Sequence, residues 1–163
     1  MLKNLFKKKE ANSDLMAPLT GKVIPLEQVP DQVFSQKMMG DGVAIEPTGK
    51  QVVSPVDGEV VDVFKTKHAI SLKTDGGAEI LVHMGLETVE LDGKGFDMQV
   101  ENGQKVKKGD PLATFDIDTV AAEGYKTVTP IILLNGEDFA VSNVASEQDV
   151  AAGEGVLFHV EKK

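Results

Sequence analysis

HAISLKTDGGAEILVHMG, residues 68–85, sets two apolar-rich runs on either side of the turn-forming triplet Asp75-Gly76-Gly77. Runs of four to eight Val, Ile and Leu residues bounded by Gly and Asp read as strands, and an Asp-Gly step between them reads as a hairpin. With Asp75-Gly76 as a two-residue turn, paired positions sum to 151, which sets His68 directly opposite His83. Such partners have Cβ atoms about 4.5–5.5 Å apart on one face. Moving the turn to Gly76-Gly77 makes the two histidines diagonal neighbours instead. Thr66, two residues before His68, is expected on the same face with its hydroxyl in reach of one imidazole nitrogen. The chain has only 3 histidines, so pairing two of them is an economical clue. An opposed imidazole pair is a poor sheet stabiliser, because protonating both would set like charges together. It suits the handling of one proton, one metal or one phosphoryl group.

The same grammar extends outward. GKVIPL, GVAIEP, GEVVDVF and TPIILLN are further short runs between glycine, proline and aspartate punctuation. From residue 14 to residue 163 this predicts one all-β domain, an antiparallel sandwich or barrel (a barrel-sandwich hybrid) with helical turns only. Those turns fall at PDQVFSQ and DIDTVAAEGY, with Asp31 and Asp116 or Asp118 as caps. APLTGKVIPL (17–26) and SPVDGEVVDV (54–63) share one pattern, and VENGQKVKKGDPL (100–112) is echoed by VASEQDVAAGEGVL (144–157). Two related sets predict a fold of duplicated hairpins, with glycine where a turn needs positive φ.

Composition narrows the functions. The 163 residues carry a net charge of −9, and four lysines crowd the first ten positions, so the remaining body is more acidic still. An acidic body argues against nucleic acid and for a basic protein partner. Residues 1–13 read as a flexible basic tail, within which LKNLFKKK could touch an anionic membrane as a short amphipathic helix. No apolar run approaches a membrane span, no h-region follows the basic start, and cysteine is absent, which together predict a cytoplasmic chain. Zero cysteines exclude disulfides and thiolate chemistry. All 17 basic residues are lysine, so no arginine fork from this chain clamps a phosphate.

GAEILVHMGLETVEL (77–91) resembles the signature around the phosphorylated histidine of the glucose-type enzyme IIA family of the bacterial phosphoenolpyruvate:sugar phosphotransferase system. VPDQVFSQKMMGDGVAIEPTGKQVVSPVDGEV (29–60), TKHAISLKTDGG (66–77) and NGQKVKKGD (102–110) extend the resemblance over nearly the whole chain outside the tail. It implies that His83 accepts phosphate from the phosphocarrier HPr and passes it to a cysteine of the IIB domain of a sugar transporter. His68 is then the phosphate-stabilising donor and Thr66 its orienting residue. The family's apolar docking face matches Val33, Phe34, Met38, Met39, Phe64 and Leu81, with Asp31 and Glu87 as acidic rim. A monomer with no required cofactor is expected; His68 and His83 could share a zinc completed by a partner's carboxylate, and regulated transporters or kinases could be further partners, as for some relatives.

Two other functions compete on sequence. SPVDGEVVDV and the duplicated hairpins also resemble zinc hydrolases of the lysostaphin type, which need a His-x-His pair plus another His and Asp. Position 85 is glycine here, and His159 stands alone in VLFHVEKK, leaving the set short. NGQKVKKGDPL resembles half of a lipoyl- or biotinyl-carrier module, but neither KTKHAI nor GKGF fits the Met-Lys-Met or Asp-Lys-Ala hairpin that carries the modified lysine.

Overall fold

A computed structural model describes residues 11–163 of the chain. The expected membrane-touching helix in LKNLFKKK therefore lies outside the described residues. No helix among the described residues is long and apolar enough to cross a membrane. The strands are β1 (Ser13–Met16), β2 (Gly21–Pro25), β3 (Gly42–Pro47), β4 (Gln51–Val53), β5 (Gly58–Val63), β6 (Ala69–Thr74) and β7 (Glu79–His83). They continue with β8 (Phe96–Met98), β9 (Lys105–Val106), β10 (Pro111–Phe115), β11 (Thr129–Leu133), β12 (Phe139–Ser142), β13 (Asp149–Val150) and β14 (Val156–Lys162). The large sheet runs β13-β2-β3-β11-β7-β6-β5-β9, with two three-stranded sheets, β1-β14-β12 and β4-β10-β8, beside it. Every pairing is antiparallel. The architecture is the expected antiparallel β fold with short helical turns, although the sheets do not close into a barrel.

Duplication is visible in the ladder. Gly21 pairs with Pro47 and Val150, while Gly58 pairs with Thr74 and Val106. Val23 N–H donates to the Gln148 carbonyl and Val60 N–H to the Gln104 carbonyl, both at 2.9 Å. The large sheet is thus two copies of one four-stranded unit, joined through the β7–β11 pair. The shared glycines answer a different demand from the one expected. A Cβ on Gly21 would lie 2.2 Å from the Glu46 carbonyl oxygen, and one on Gly58 would lie 1.9 Å from that of Lys73. Close approach of a neighbouring strand, not a positive φ, excludes a side chain at both.

Alternation sorts the β6–β7 hairpin. Ile70, Leu72, Ile80 and Val82 face the main core, where Phe115, Phe139 and Phe158 are fully buried. Ala69 and Leu81 face a second, smaller core with Phe34, Leu86 and Ile132. The helical turns appear where expected: α1 (Gln32–Ser35) is capped by Asp31, which accepts from the Val33 and Phe34 amides, and α2 (Ile117–Ala122) by Asp116. Capping of this kind satisfies amides that a helix leaves unpaired.

Candidate functional site

His83 ends β7 on the side of the second core, and His68 sits one residue before β6. The hairpin register differs by one from the two-residue-turn expectation. Ala69 pairs with His83 and Lys73 with Glu79, so the loop holds three residues, Asp75, Gly76 and Gly77. Thr74 fixes this loop: its Oγ1 accepts from the Ala78 amide at 2.9 Å while Gly77 donates back to the Thr74 carbonyl. In that register, strand alternation alone would send His68 and His83 to opposite faces. They meet because the chain has left the strand at His68. Lys67 adopts a left-handed conformation with φ 61°, and its amide bonds the Phe64 carbonyl at 2.8 Å, so residues 64–68 fold back over the sheet.

The result is a pair of imidazoles with centroids 4.9 Å apart and planes at 80°. Each ring has its Nδ1 engaged. Thr66 Oγ1 lies 2.6 Å from His68 Nδ1, and His83 Nδ1 lies 2.7 Å from the Gly85 carbonyl oxygen. A carbonyl only accepts, so neutral His83 carries its proton on Nδ1 and leaves the Nε2 lone pair free. A threonine hydroxyl can donate to Nδ1 of His68, in which case that ring carries its proton on Nε2. One imidazole then offers a lone pair and its neighbour an N–H. Burial drives both toward the neutral form: His68 is 5% exposed and pushed down to about 4, with nearby His83 acting in the same direction. Burial lowers His83 as well, opposed by the Gly85 carbonyl and the charge of Asp31.

Aromatic rings hold the pair in place. Phe34 packs 5.0 Å from His83 and Phe64 meets His68 edge-on at 5.6 Å. Phe34 is 5% exposed and Leu81 1%, so these two of the expected docking residues form the floor of the site and not its surface. Val33, Met38 and Met39 are exposed, Met38 to 69%. Asp31 is half-buried at the α1 cap, and Glu87 is exposed in a left-handed conformation with φ 59°. A shallow open depression lined by Pro30, Asp31, Leu86, Glu87, Tyr125 and Lys126 adjoins them. The sequence reading missed Gly85 and Lys126, which act through backbone carbonyls and leave no side-chain signature. The glycine itself, two residues after the strand-ending His83, was the signal available, and the φ of 81° that it adopts favours glycine.

Among the described residues no group of three or more potential ligands gathers to hold a metal. A zinc bound by His68 and His83 would need a partner's ligand to complete a tetrahedral set. His159 lies elsewhere, on β14, with its Nδ1 2.7 Å from Asp14.

The profile of the family described as "phosphoenolpyruvate-dependent sugar phosphotransferase system, EIIA 1" matches residues 13–139. The chain is 48% identical to a "PTS system glucose-specific EIIA component" of Oceanobacillus iheyensis, covering 98% of this chain and 99% of that one. It is also 48% identical to the protein of the same description from Bacillus cereus, over 95% and 94% of the two chains. Among solved structures, the glucose permease IIA from Mycoplasma capricolum superposes with a TM-score of 0.83 at 39% identity, covering 91% of this chain and 95% of that one. These matches support neither the zinc-hydrolase nor the lipoyl-carrier alternative. The chain belongs to the EIIA 1 family of the sugar phosphotransferase system, and its role is that of a phosphocarrier.

Proposed function

We propose that His83 is the residue that carries the phosphoryl group, through Nε2, and that His68 steadies it. The observation that supports this most is the pair of neutral imidazoles 4.9 Å apart, with both Nδ1 atoms already engaged. In the forward step, the Nε2 lone pair forms a bond to phosphorus as the P–N bond to the phosphohistidine of HPr breaks, and the electron pair leaves with that imidazole. In the second step a cysteine thiolate of a IIB domain attacks the same phosphorus, and the electron pair returns to Nε2. Such transfers depend on in-line positioning and stabilisation of equatorial oxygens, with little acid–base work. His68 supplies one N–H to those oxygens, and Thr66 orients it. A single neutral donor suits a carrier that must release what it accepts.

Val33, Met38 and Met39 form the docking face in this proposal, with Phe64 at its edge and Asp31 and Glu87 as the acidic rim. Methionine adapts to partners of different shape, which fits two successive protein contacts. The relatives are described as glucose-specific, which makes glucose the sugar to test first. The deciding experiment is incubation with phosphoenolpyruvate, enzyme I and HPr, followed by mapping of an acid-labile phosphate. Phosphate on His83, and none in His83→Gln, is expected. Stable phosphate on His68, or relay through His83→Gln, overturns the assignment.

A further inference from the structure

Glycine at position 85 raises a physical question. Its carbonyl fixes the tautomer of His83, yet glycine is the residue least able to hold its own carbonyl in one direction. Something outside it must do so. The peptide after Gly85 is held at its far end, where the Leu86 N–H donates to the Lys126 carbonyl at 3.0 Å. Gly85 C=O and Leu86 N–H belong to one rigid planar unit, so this bond aims the carbonyl at His83. The peptide before Gly85 is held by a side chain: Thr88 Oγ1 donates to the Met84 carbonyl at 2.6 Å. Thr88 is fully buried, and its methyl closes over Gly85, where an added Cβ would lie 2.6 Å from Thr88 Cγ2. Met84 N–H in turn donates to the His68 carbonyl at 2.8 Å. Among the described residues Thr88 is thus the one side chain, besides the His83 imidazole itself, that is hydrogen-bonded to this backbone bridge between the two histidines.

We propose that Thr88 is a positioning residue that, through the Met84–Gly85 peptide, keeps the Gly85 carbonyl on His83 Nδ1 and so reserves Nε2 for the phosphoryl group. The hydroxyl is the operative part. It fixes one of the two peptides flanking Gly85, while the Lys126 carbonyl fixes the other. Hydrogen bonds in series polarise one another, so the chain from Lys126 through the Gly85–Leu86 peptide to His83 strengthens the last bond when the geometry is held. The rate consequence rests on the reading of His83 as phosphate acceptor; the tautomer consequence does not.

The test compares Thr88→Val, which keeps the shape and removes the hydroxyl, with Thr88→Ser, which keeps the hydroxyl. Nitrogen-15 NMR of the imidazoles reads the His83 tautomer, and rapid-quench uptake from phosphorylated HPr reads the rate. Wild type and Thr88→Ser are expected to show the Nδ1–H tautomer and similar rates. Thr88→Val is expected to show a mixture of tautomers and an uptake at least about tenfold slower, as when other supporting hydrogen-bond partners are removed. Thr88→Val with an unchanged tautomer and rate overturns the proposal, as does Thr88→Ser losing both. If Thr88→Val fails to fold, Thr88→Ser decides alone: loss of the Nδ1–H tautomer there refutes the hydroxyl's role. A wild type that takes no phosphate on His83 refutes the acceptor assignment, and the tautomer measurement still judges Thr88.

Discussion

Acidification should unfasten the site through His68. Burial, with a lesser contribution from the neighbouring His83, holds its imidazole down to about 4 from an ordinary 6.5. The unfolded chain therefore binds a proton that the folded chain refuses between those values. Stability is fully present above about pH 6.5 and falls as pH drops toward 4, with a slope near 1.4 kcal/mol per pH unit where the difference is one proton. The whole interval corresponds to about 3 kcal/mol, most of which has gone by pH 4.5. Carboxylates also titrate at the low end, and burial of His83 acts in the same direction, so the variant His68→Gln is the reference. Urea unfolding of both proteins at several pH values from about 7.5 to 4.5 gives the comparison. The wild-type protein should lose about 2–3 kcal/mol more than His68→Gln across that range. A wild-type-minus-variant difference that stays level with pH, or an NMR titration of His68 near 6.5, would refute the account of burial.

Further outcomes follow from the same geometry. His68→Gln should still accept phosphate on His83 but pass it on about 10²–10³ more slowly, the cost of losing one preorganised donor, as single-turnover transfer to IIB would show. Gly85→Ala forces a side chain onto φ 81° and within 2.8 Å of the Lys126 carbonyl, so thermal melts should show a loss of at least about 1–2 kcal/mol. Asp31→Asn keeps a good helix cap while removing the charge, and should slow association with HPr and flatten its salt dependence without changing the melting temperature. Met39→Asp should weaken both phosphate entry and exit with folding intact; normal relay with both partners would remove Met39 from the docking face.

Strand runs, turn residues and both helix caps were legible because each rests on local chemistry that the sequence displays. Register was not. The triplet Asp75-Gly76-Gly77 accommodates two-residue turns in two frames, and the three-residue loop that forms instead is fixed by the Thr74 hydroxyl on the Ala78 amide. His68 and His83 were expected together for a strand-pairing reason; they are together because Lys67 reverses the chain ahead of β6. The family resemblance placed Phe34, Leu81, Met38 and Met39 alike on the docking face, yet the first two are floor and the last two surface, a distinction made only by which elements cover them. Thr88 looked like any strand-following threonine, since a hydroxyl aimed at a backbone carbonyl has no sequence signature.

The doubled sheet divides its labour unequally. Aligning the two units by their ladders puts Val43 on Ile70 and Ile131 on Val82, so Ile132 holds the place in one unit that His83 holds in the other. Residues 26–41, between β2 and β3, fold over Ile132 and seal it completely, whereas the short turn of residues 64–68 leaves its counterpart approachable. The long connection does double service, because Phe34 within it walls the His83 ring. Two histidines in the twin positions would stand on adjacent strands, roughly 7–8 Å apart as diagonal neighbours. Dianionic groups at that spacing would repel strongly wherever water is excluded. If His83 is the carrier as proposed, spending one twin as insulation leaves a single load: one group per molecule, with an inert mirror position as its backing.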